Sequence, residues 1–260
     1  MTRSNQNKLL KEIGLYLVNN KKGSHCNELD PDVRFNRSMI EDTPWNLAGM
    51  TYDIFCLHCI WNYSEVSATL GEGAVYFTMI RHPVDLFRSH WDYFDYGDLY
   101  NMTLQQFAEA IDTSTSKLEI QINHHFLLHD FGIPEQKVND LKFIDAKIRE
   151  INDNFDLILI QERFEESMIL LKDLLCWDNA DLLHLKLNHA PNTKSKLTEE
   201  GRKTLSAFLE ADIRVYDYFY KKFQQKVQMF GKNRLNAEIL KLNYGCEGCL
   251  WCEGDKICLP

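Results

Sequence analysis

Long apolar runs are missing from this 260-residue sequence, and so is an excess of basic residues. No segment reaches the roughly eighteen consecutive apolar residues that a bilayer-spanning helix needs, and residues 1–7 are too polar for a signal peptide. The 29 Lys and Arg stand against 38 Asp and Glu, which gives a formal net charge of −9. Such a balance argues against general nucleic-acid binding, although a local basic pocket could still hold a nucleotide. The sequence therefore predicts no membrane-spanning segment and no nucleic-acid partner.

The size and composition are those of an ordinary globular chain. Hydrophobic residues make up 45% and charged residues 26%, and the length is enough to bury the core of one α/β domain. The 8 cysteines and the glycosylation sequons that begin at Asn36, Asn62 and Asn101 would suit an oxidising lumen. Since no signal peptide or anchor accompanies them, these features leave the compartment open.

The stretch from Ala74 to Tyr96 organises the sequence. It opens with AVYFTMI, an apolar, β-branched and aromatic run that is typical of a strand buried on both faces in a parallel sheet. Pro83 then stands at a suitable first position for a helix. Apolar residues recur at three- and four-residue steps, as on one face of an amphipathic helix: Val84, Phe87, Trp91 and Phe94. The stretch predicts a strand, a tight turn and a helix.

Two polar side chains of this unit could bind an anion. Arg81 follows the strand at the carboxyl edge of the predicted sheet, where free amides and the helix dipole favour negative charge. Ser89 falls on the second turn of the helix and could aim its hydroxyl at the same point. A guanidinium and a hydroxyl together suit a phosphate monoester. The alternative is that Arg81 pairs with Asp85 or Asp92 and that Ser89 is merely exposed.

Arg81-His82-Pro83, with Ser89 in register, resembles the 3′-phosphate-binding element of sulfotransferases that use 3′-phosphoadenosine 5′-phosphosulfate. The flanking sequence YFTMIRHPVDLFRSHWDYF is similar in particular to the Golgi galactose-3-O-sulfotransferases, a family that includes the galactosylceramide sulfotransferases. A second stretch, Phe155 to Asn188, resembles the same family. A looser co-linear match extends from about Lys8 to Lys241, which makes the resemblance far more specific than the short motif alone.

The resemblance implies an α/β fold with a mostly parallel sheet flanked by helices, a P-loop-like nucleotide site and a helical C-terminal part. Residues 1–243 would form the sulfotransferase domain. It would move the sulfuryl group of 3′-phosphoadenosine 5′-phosphosulfate to the 3-hydroxyl of galactose on a glycolipid or glycoprotein glycan, without a metal. Arg81 and Ser89 would hold the 3′-phosphate of this donor. The family also implies a type II Golgi protein, attached to the membrane only through an anchor that this sequence lacks.

His58 is the candidate general base. It follows a predicted strand, Tyr52 to Leu57, and resembles a family His that faces the acceptor hydroxyl from the end of a strand. A neutral imidazole could take the proton as the hydroxyl attacks sulfur. His58 could instead cap the strand, or join Cys56 and Cys59 in a metal site, for which the sequence shows no further ligands. The resemblance favours the base.

The loop that cradles the 5′-phosphosulfate in sulfotransferases is not evident. Lys21-Lys22-Gly23-Ser24 resembles it superficially, but the loop should run into a helix, and residues 25–31, HCNELDP, are poor helix material. The better alignment puts residues 15–25 on a strand downstream of that loop. We therefore expect an N-terminally incomplete domain without the loop lysine. The rival interpretation is a catalytically impaired homologue that binds nucleotide or glycan without turnover; a uronyl sulfotransferase would need a more basic acceptor site.

Residues 244–260 form a separate Cys-rich tail with Cys246, Cys249, Cys252 and Cys258. Thiolates at two-residue intervals could converge on zinc or an iron–sulfur cluster. In an oxidising compartment the same thiols would form disulfides, and an unstructured tail is the third possibility. A metal-binding interaction module centred on this tail is a further rival to the enzyme.

Other local patterns predict the neighbouring elements. Helices are expected over about 102–111, with Thr103 as N-cap, over 134–152, and over 199–230. The last of these opens with an imperfect capping box, because Gly201 stands where a Glu or Gln would reach back to the N-cap. Residues 155–160, FDLILI, predict a second buried strand. Glu162 follows that strand, where it could contact a ligand or cap a helix.

Overall fold

The computed structural model describes residues 34–40, 52–56, 59–112, 125–182 and 195–244. In chain order its helices and strands are α1 (Tyr63–Leu70), β1 (Phe77–Ile80), α2 (Pro83–Tyr93), α3 (Tyr96–Tyr100), α4 (Leu104–Asp112), α5 (Phe126–Asp130), α6 (Leu141–Asn154), β2 (Leu157–Ile160), α7 (Phe164–Leu175), α8 (Glu199–Phe208), α9 (Glu210–Phe230) and α10 (Lys232–Tyr244). Short 3-10 turns span Arg37–Met39, Glu135–Lys137 and Gln161–Arg163.

The chain divides into two compact units. One consists of Met1–Tyr76 and His125–Asp156, and the other of Phe77–His124 and Leu157–Pro260. The described part of the fold is mixed α/β, with helices predominating and a parallel sheet of two strands. The predicted α/β class with parallel strands is confirmed at this level. Among the described helices, none is both long and apolar enough to span a bilayer.

The first unit is built around an aromatic and aliphatic cluster. Phe35, Ile40, Tyr52 and Val66 are buried together there. Trp61 packs against Phe155, with 4.6 Å between the ring centroids. The strand predicted for residues 52–57 is wrong over its described part, because Ile54 makes only an isolated bridge and its neighbours have no strand pairing. The extended pairing here is instead a parallel bridge between Arg34 and Ile60.

The second unit contains the sheet. β1 and β2 pair in parallel with Phe77 opposite Leu157 and Ile80 opposite Ile160. The strand predicted for residues 155–160 is confirmed as buried, since all four residues of β2 are buried. The expectation that β1 is buried on both faces is wrong: Phe77 and Met79 are 42% and 37% exposed. An apolar run reports that a residue prefers burial, not which neighbour covers it.

α2 begins as the sequence predicts. Pro83 is its first residue and His82 its N-cap, and the apolar stripe of Val84, Phe87 and Trp91 is buried. Phe87 stacks on Phe107 of α4, with the ring centroids 5.7 Å apart. Phe94 does not belong to the buried stripe. Because α2 ends at Tyr93, Phe94 is no longer on the helix face, and its side chain is 53% exposed.

Side-chain caps begin both α4 and α8, and the cap of α8 involves a residue of α4. Thr103 is the predicted N-cap of α4: its hydroxyl accepts the Gln106 N–H at 3.2 Å, and the Gln106 side chain accepts the Thr103 N–H at 2.8 Å. At α8 the Thr198 hydroxyl accepts the Gly201 N–H at 3.0 Å. Gln105 of α4 accepts the Thr198 N–H at 2.9 Å, which is the bond that the imperfect capping box lacks.

Candidate functional site

The carboxyl ends of β1 and β2 lie side by side in the second unit. Because Ile80 is opposite Ile160, β1 and β2 end at the same edge of the sheet. Ser167 on α7 is fully buried and fixes this end of β2, since its hydroxyl donates to the Ile160 carbonyl at 2.9 Å and accepts the Ile160 N–H at 3.0 Å. Parallel sheets bind ligands at such an edge.

Arg81 and Ser89 belong to the turn and helix that follow β1. Arg81 lies between the end of β1 and the N-cap of α2, and Ser89 lies on the second turn of α2. Both are half-buried. Within the described part of the chain, neither the guanidinium of Arg81 nor the hydroxyl of Ser89 has a hydrogen-bond or ion-pair partner. No described residue thus satisfies either group.

The carboxylates that could have neutralised Arg81 are bound elsewhere. Arg202 of α8 holds Asp85 through two bonds of 3.0 and 2.8 Å. This bidentate pair lowers the pKa of Asp85 below its ordinary value. Asp92 accepts the Ser195 hydroxyl at 2.6 Å. The alternative that pairs Arg81 with Asp85 or Asp92 is thus not what the structure contains.

Glu162 links the ends of the two strands. One of its carboxylate oxygens accepts the backbone N–H of His82 at 2.7 Å, and the other accepts the hydroxyl of Tyr216 at 3.2 Å. The His82 and Tyr216 rings meet edge to face, with centroids 5.2 Å apart. Burial and the neighbouring Glu162 charge raise the pKa of Tyr216, so the phenol stays a donor. Burial, with the positive charge of Arg202, lowers the pKa of His82.

Several partners at this site carry no local sequence signal. Ser195, Arg202 and Tyr216 reach α2 and Glu162 only through tertiary packing, at separations of 54 to 117 residues. Glu162 is recognisable from its place after a strand, and its bond to the N-cap residue of α2 matches the capping role that the sequence allowed.

Other predicted site residues lie outside the described residues. These are His58, the loop Lys21–Ser24 and the tail cysteines Cys246, Cys249, Cys252 and Cys258. Cys59 is disulfide-bonded, and Cys56 is exposed. Since a disulfide sulfur is not a thiolate ligand, the metal site that would have joined Cys56, His58 and Cys59 is wrong. In the described ranges, no cluster of three His, Cys, Asp or Glu could hold a metal ion.

The β1–α2 turn and the following helix carry side-chain donors of the kind that binds a phosphate group. Arg81 offers a planar fork of donors and Ser89 a hydroxyl, while Glu162 and Asp85 are occupied by protein donors. A phosphate monoester matches such a fork bidentately.

Comparison with known proteins gives one consistent result. The family model described as galactose-3-O-sulfotransferase matches residues 20–251. Galactosylceramide sulfotransferase of Mus musculus is 31% identical over 224 residues, which are 82% of this chain and 52% of that protein. The Homo sapiens protein of the same name is 30% identical over 85% of this chain and 54% of its own length. Galactose-3-O-sulfotransferase 2 of Mus musculus is 28% identical over 66% of this chain and 45% of that protein.

The chain therefore spans about half the length of the curated relatives that it matches. No solved structure matches it. Because the family model covers most of the sequence, and the relatives agree with that model, the chain belongs to the galactose-3-O-sulfotransferase family.

Proposed function

We propose that this chain is a sulfotransferase that moves the sulfuryl group of 3′-phosphoadenosine 5′-phosphosulfate to the 3-hydroxyl of a galactose. The match to the family model over residues 20–251 carries the proposal. Relatives named for sulfotransferase activity on galactosylceramide and galactose support it. They favour an enzyme over the non-catalytic binding protein that the sequence also allowed.

Arg81 and Ser89 are proposed to bind the 3′-phosphate of the donor. Arg81 has no protein anion to satisfy it among the described residues, and the competing carboxylate Asp85 is held by Arg202. A ligand anion would therefore supply the partner that a half-buried guanidinium favours. Holding this phosphate fixes the position of the whole donor, and such positioning is a large part of catalysis.

His58 is proposed as the general base. In the transfer, the galactose oxygen forms a bond to sulfur as the bond between sulfur and the bridging phosphate oxygen breaks. His58 accepts the proton of the attacking hydroxyl, and adenosine 3′,5′-bisphosphate leaves. The donor supplies the activated sulfuryl group, and the fold that binds it is proposed to be the P-loop-like sulfotransferase fold.

The acceptor is proposed to be a galactose-terminated glycolipid or glycoprotein glycan, as the names of the relatives indicate. The Golgi lumen is the proposed compartment. Its oxidising chemistry would suit the disulfide at Cys59.

Calorimetric titration with adenosine 3′,5′-bisphosphate tests the phosphate site. Hydrogen bonds to charged groups contribute about 1.5–3 kcal/mol each, so loss of a bidentate fork should cost at least about 3 kcal/mol. At 1.4 kcal/mol for each tenfold change, Arg81→Ala should weaken binding by about two orders of magnitude. Arg81→Lys should recover part of the affinity, because it keeps the charge but not the fork.

Lys203→Ala is the matched control. Lys203 is an exposed cation on α8, 74% accessible, so its loss lowers the net charge equally without touching the β1–α2 turn. Equal affinities for wild type, Arg81→Ala and Lys203→Ala would reject the assignment of Arg81.

A further inference from the structure

We propose that Glu162 is a positioning residue for Arg81: its carboxylate holds the peptide unit between Arg81 and His82 in one orientation, and Tyr216 locks that carboxylate. The inference rests on the proposed binding of the 3′-phosphate by Arg81.

The register of the sheet brings Glu162 to this peptide. Ile80 pairs with Ile160, so His82 and Glu162 each stand two residues beyond paired positions. The bond between them joins points 80 residues apart in the sequence, at 2.7 Å. An ionised acceptor makes this bond stronger than one between neutral groups.

The bonded N–H belongs to the peptide that joins Arg81 to His82. Because a peptide unit is planar, fixing the direction of its N–H fixes the last backbone rotation of Arg81. The other side of the turn is fixed as well, since the His82 carbonyl accepts the N–H groups of Asp85 and Leu86, both at 2.9 Å. The Arg81 backbone thus leaves β1 in a set direction.

Glu162 is itself held at both oxygens. Tyr216, only 5% exposed on α9, donates to the second oxygen at 3.2 Å and packs its ring against that of His82. Ser167 anchors the strand end from which Glu162 extends. Although Glu162 lies on the exposed surface, its carboxylate has little freedom to rotate.

Glu162 carries the same sign of charge as the phosphate. A positioning role and an electrostatic role of Glu162 therefore predict opposite effects on phosphate binding. A carboxylate beside the β1–α2 turn repels a phosphate, so a purely electrostatic view predicts tighter binding when it is removed. A positioning role predicts the opposite, because a misplaced Arg81 loses its alignment with the phosphate. Glu162→Gln distinguishes the two, since its amide oxygen can still accept the His82 N–H and its amide nitrogen can donate to the Tyr216 oxygen.

The test is a ratio of affinities. Dissociation constants for adenosine 5′-monophosphate and adenosine 3′,5′-bisphosphate are measured by calorimetry. The constant for the monophosphate divided by that for the bisphosphate reports the contribution of the 3′-phosphate. Partial unfolding of a variant changes both constants by the same factor, so it leaves the ratio unchanged. Glu162→Ala should lower the ratio by about tenfold or more, Tyr216→Phe should lower it less, and Glu162→Gln should keep it within about threefold of wild type.

Glu165→Ala is the matched control, because Glu165 is an exposed carboxylate three residues away in the first turn of α7. It should leave the ratio unchanged. Amide exchange gives a second readout: the His82 N–H should exchange faster in Glu162→Ala than in Glu165→Ala.

The outcomes separate the two proposals. If Arg81→Ala lowers the ratio while Glu162→Ala leaves it at the wild-type value or raises it, the positioning role is overturned and the phosphate site stands. If Arg81→Ala leaves the ratio unchanged, or wild type binds neither nucleotide, the phosphate site fails and the role of Glu162 fails with it.

Discussion

Gly201→Ala should destabilise this protein, although the same change stabilises most helices. Gly201 lies in the first turn of α8, where alanine is favoured over glycine by up to about 1 kcal/mol. A methyl group at this position would lie 2.6 Å from the side-chain oxygen of Gln105 and 3.2 Å from the adjacent carbon. Gln105 would have to move away from the start of α8.

The cost follows from the bonds that Gln105 makes. Its oxygen accepts both the N–H and the hydroxyl of Thr198, at 2.9 and 3.2 Å. At a net 0.5–1.5 kcal/mol per hydrogen bond, displacement loses about 1–3 kcal/mol. Over most of this range the loss exceeds the helix-propensity gain of up to about 1 kcal/mol, so Gly201→Ala should lower the free energy of unfolding by up to about 2 kcal/mol.

A double-mutant cycle measured by urea unfolding checks this reasoning. In the Gln105→Ala background there is nothing to displace, and Gly201→Ala should then stabilise by up to about 1 kcal/mol. The sign should reverse between the two backgrounds. Stabilisation of equal size in both would refute the packing argument.

Three further expectations concern the second unit and the sequons. Because Arg202 lowers the pKa of Asp85, the stability that Asp85 contributes is present above about pH 4 and lost as pH falls through its folded pKa. The difference in free energy of unfolding between wild type and Asp85→Asn, measured in urea, should therefore shrink from pH 6 to pH 3. A constant difference would contradict this. Ser89→Ala should weaken the binding of adenosine 3′,5′-bisphosphate by about tenfold and leave the binding of adenosine 5′-monophosphate unchanged. Equal losses of affinity for both nucleotides would count against a 3′-phosphate contact. When the protein is expressed in the secretory pathway, mass spectrometry should show that Asn101→Gln removes an N-glycan and that Asn62→Gln does not. Asn101 is exposed on a turn, whereas the Asn62 amide is half-buried and donates to a backbone carbonyl at 2.9 Å. A glycan retained in Asn101→Gln would contradict this.

The sequence predicts local features of the second unit well. The start of α2 at Pro83 and the cap of α4 at Thr103 depend on residues within one turn of the element that they control. β2 is recognisable because its four residues are all apolar and all buried. These features follow from backbone sterics and local hydrogen bonding, which act over a few residues.

Features that depend on distant partners are not predictable in this way. The exposed Phe77 and Met79 on β1 look in sequence like core residues. The break between α8 and α9 at Leu209 interrupts a continuous helical pattern, with φ −101° and ψ 23°. The cap at Thr198 is completed by Gln105, 93 residues upstream. Each requires knowledge of tertiary packing, which one-dimensional periodicity does not contain.

The candidate site also combines features that the sequence indicates with features that depend on distant partners. Arg81 and Ser89 are candidates because their motif resembles that of sulfotransferases, whereas the pairing of Asp85 with Arg202, which keeps Asp85 from Arg81, spans 117 residues. The bond from the His82 amide to Glu162 depends on strand register, which the sequence does not specify. The partners that set the geometry of the site are therefore the part that only a structure supplies.

Transfer of labelled sulfate from 3′-phosphoadenosine 5′-phosphosulfate to a β-galactoside is the decisive test of the proposed activity. We expect a product sulfated at the galactose 3-hydroxyl, with no product from the matching 3-O-methyl galactoside and far less from the Arg81→Ala variant. A chain that binds adenosine 3′,5′-bisphosphate yet transfers no sulfate, or places it on another hydroxyl, would contradict the proposed activity.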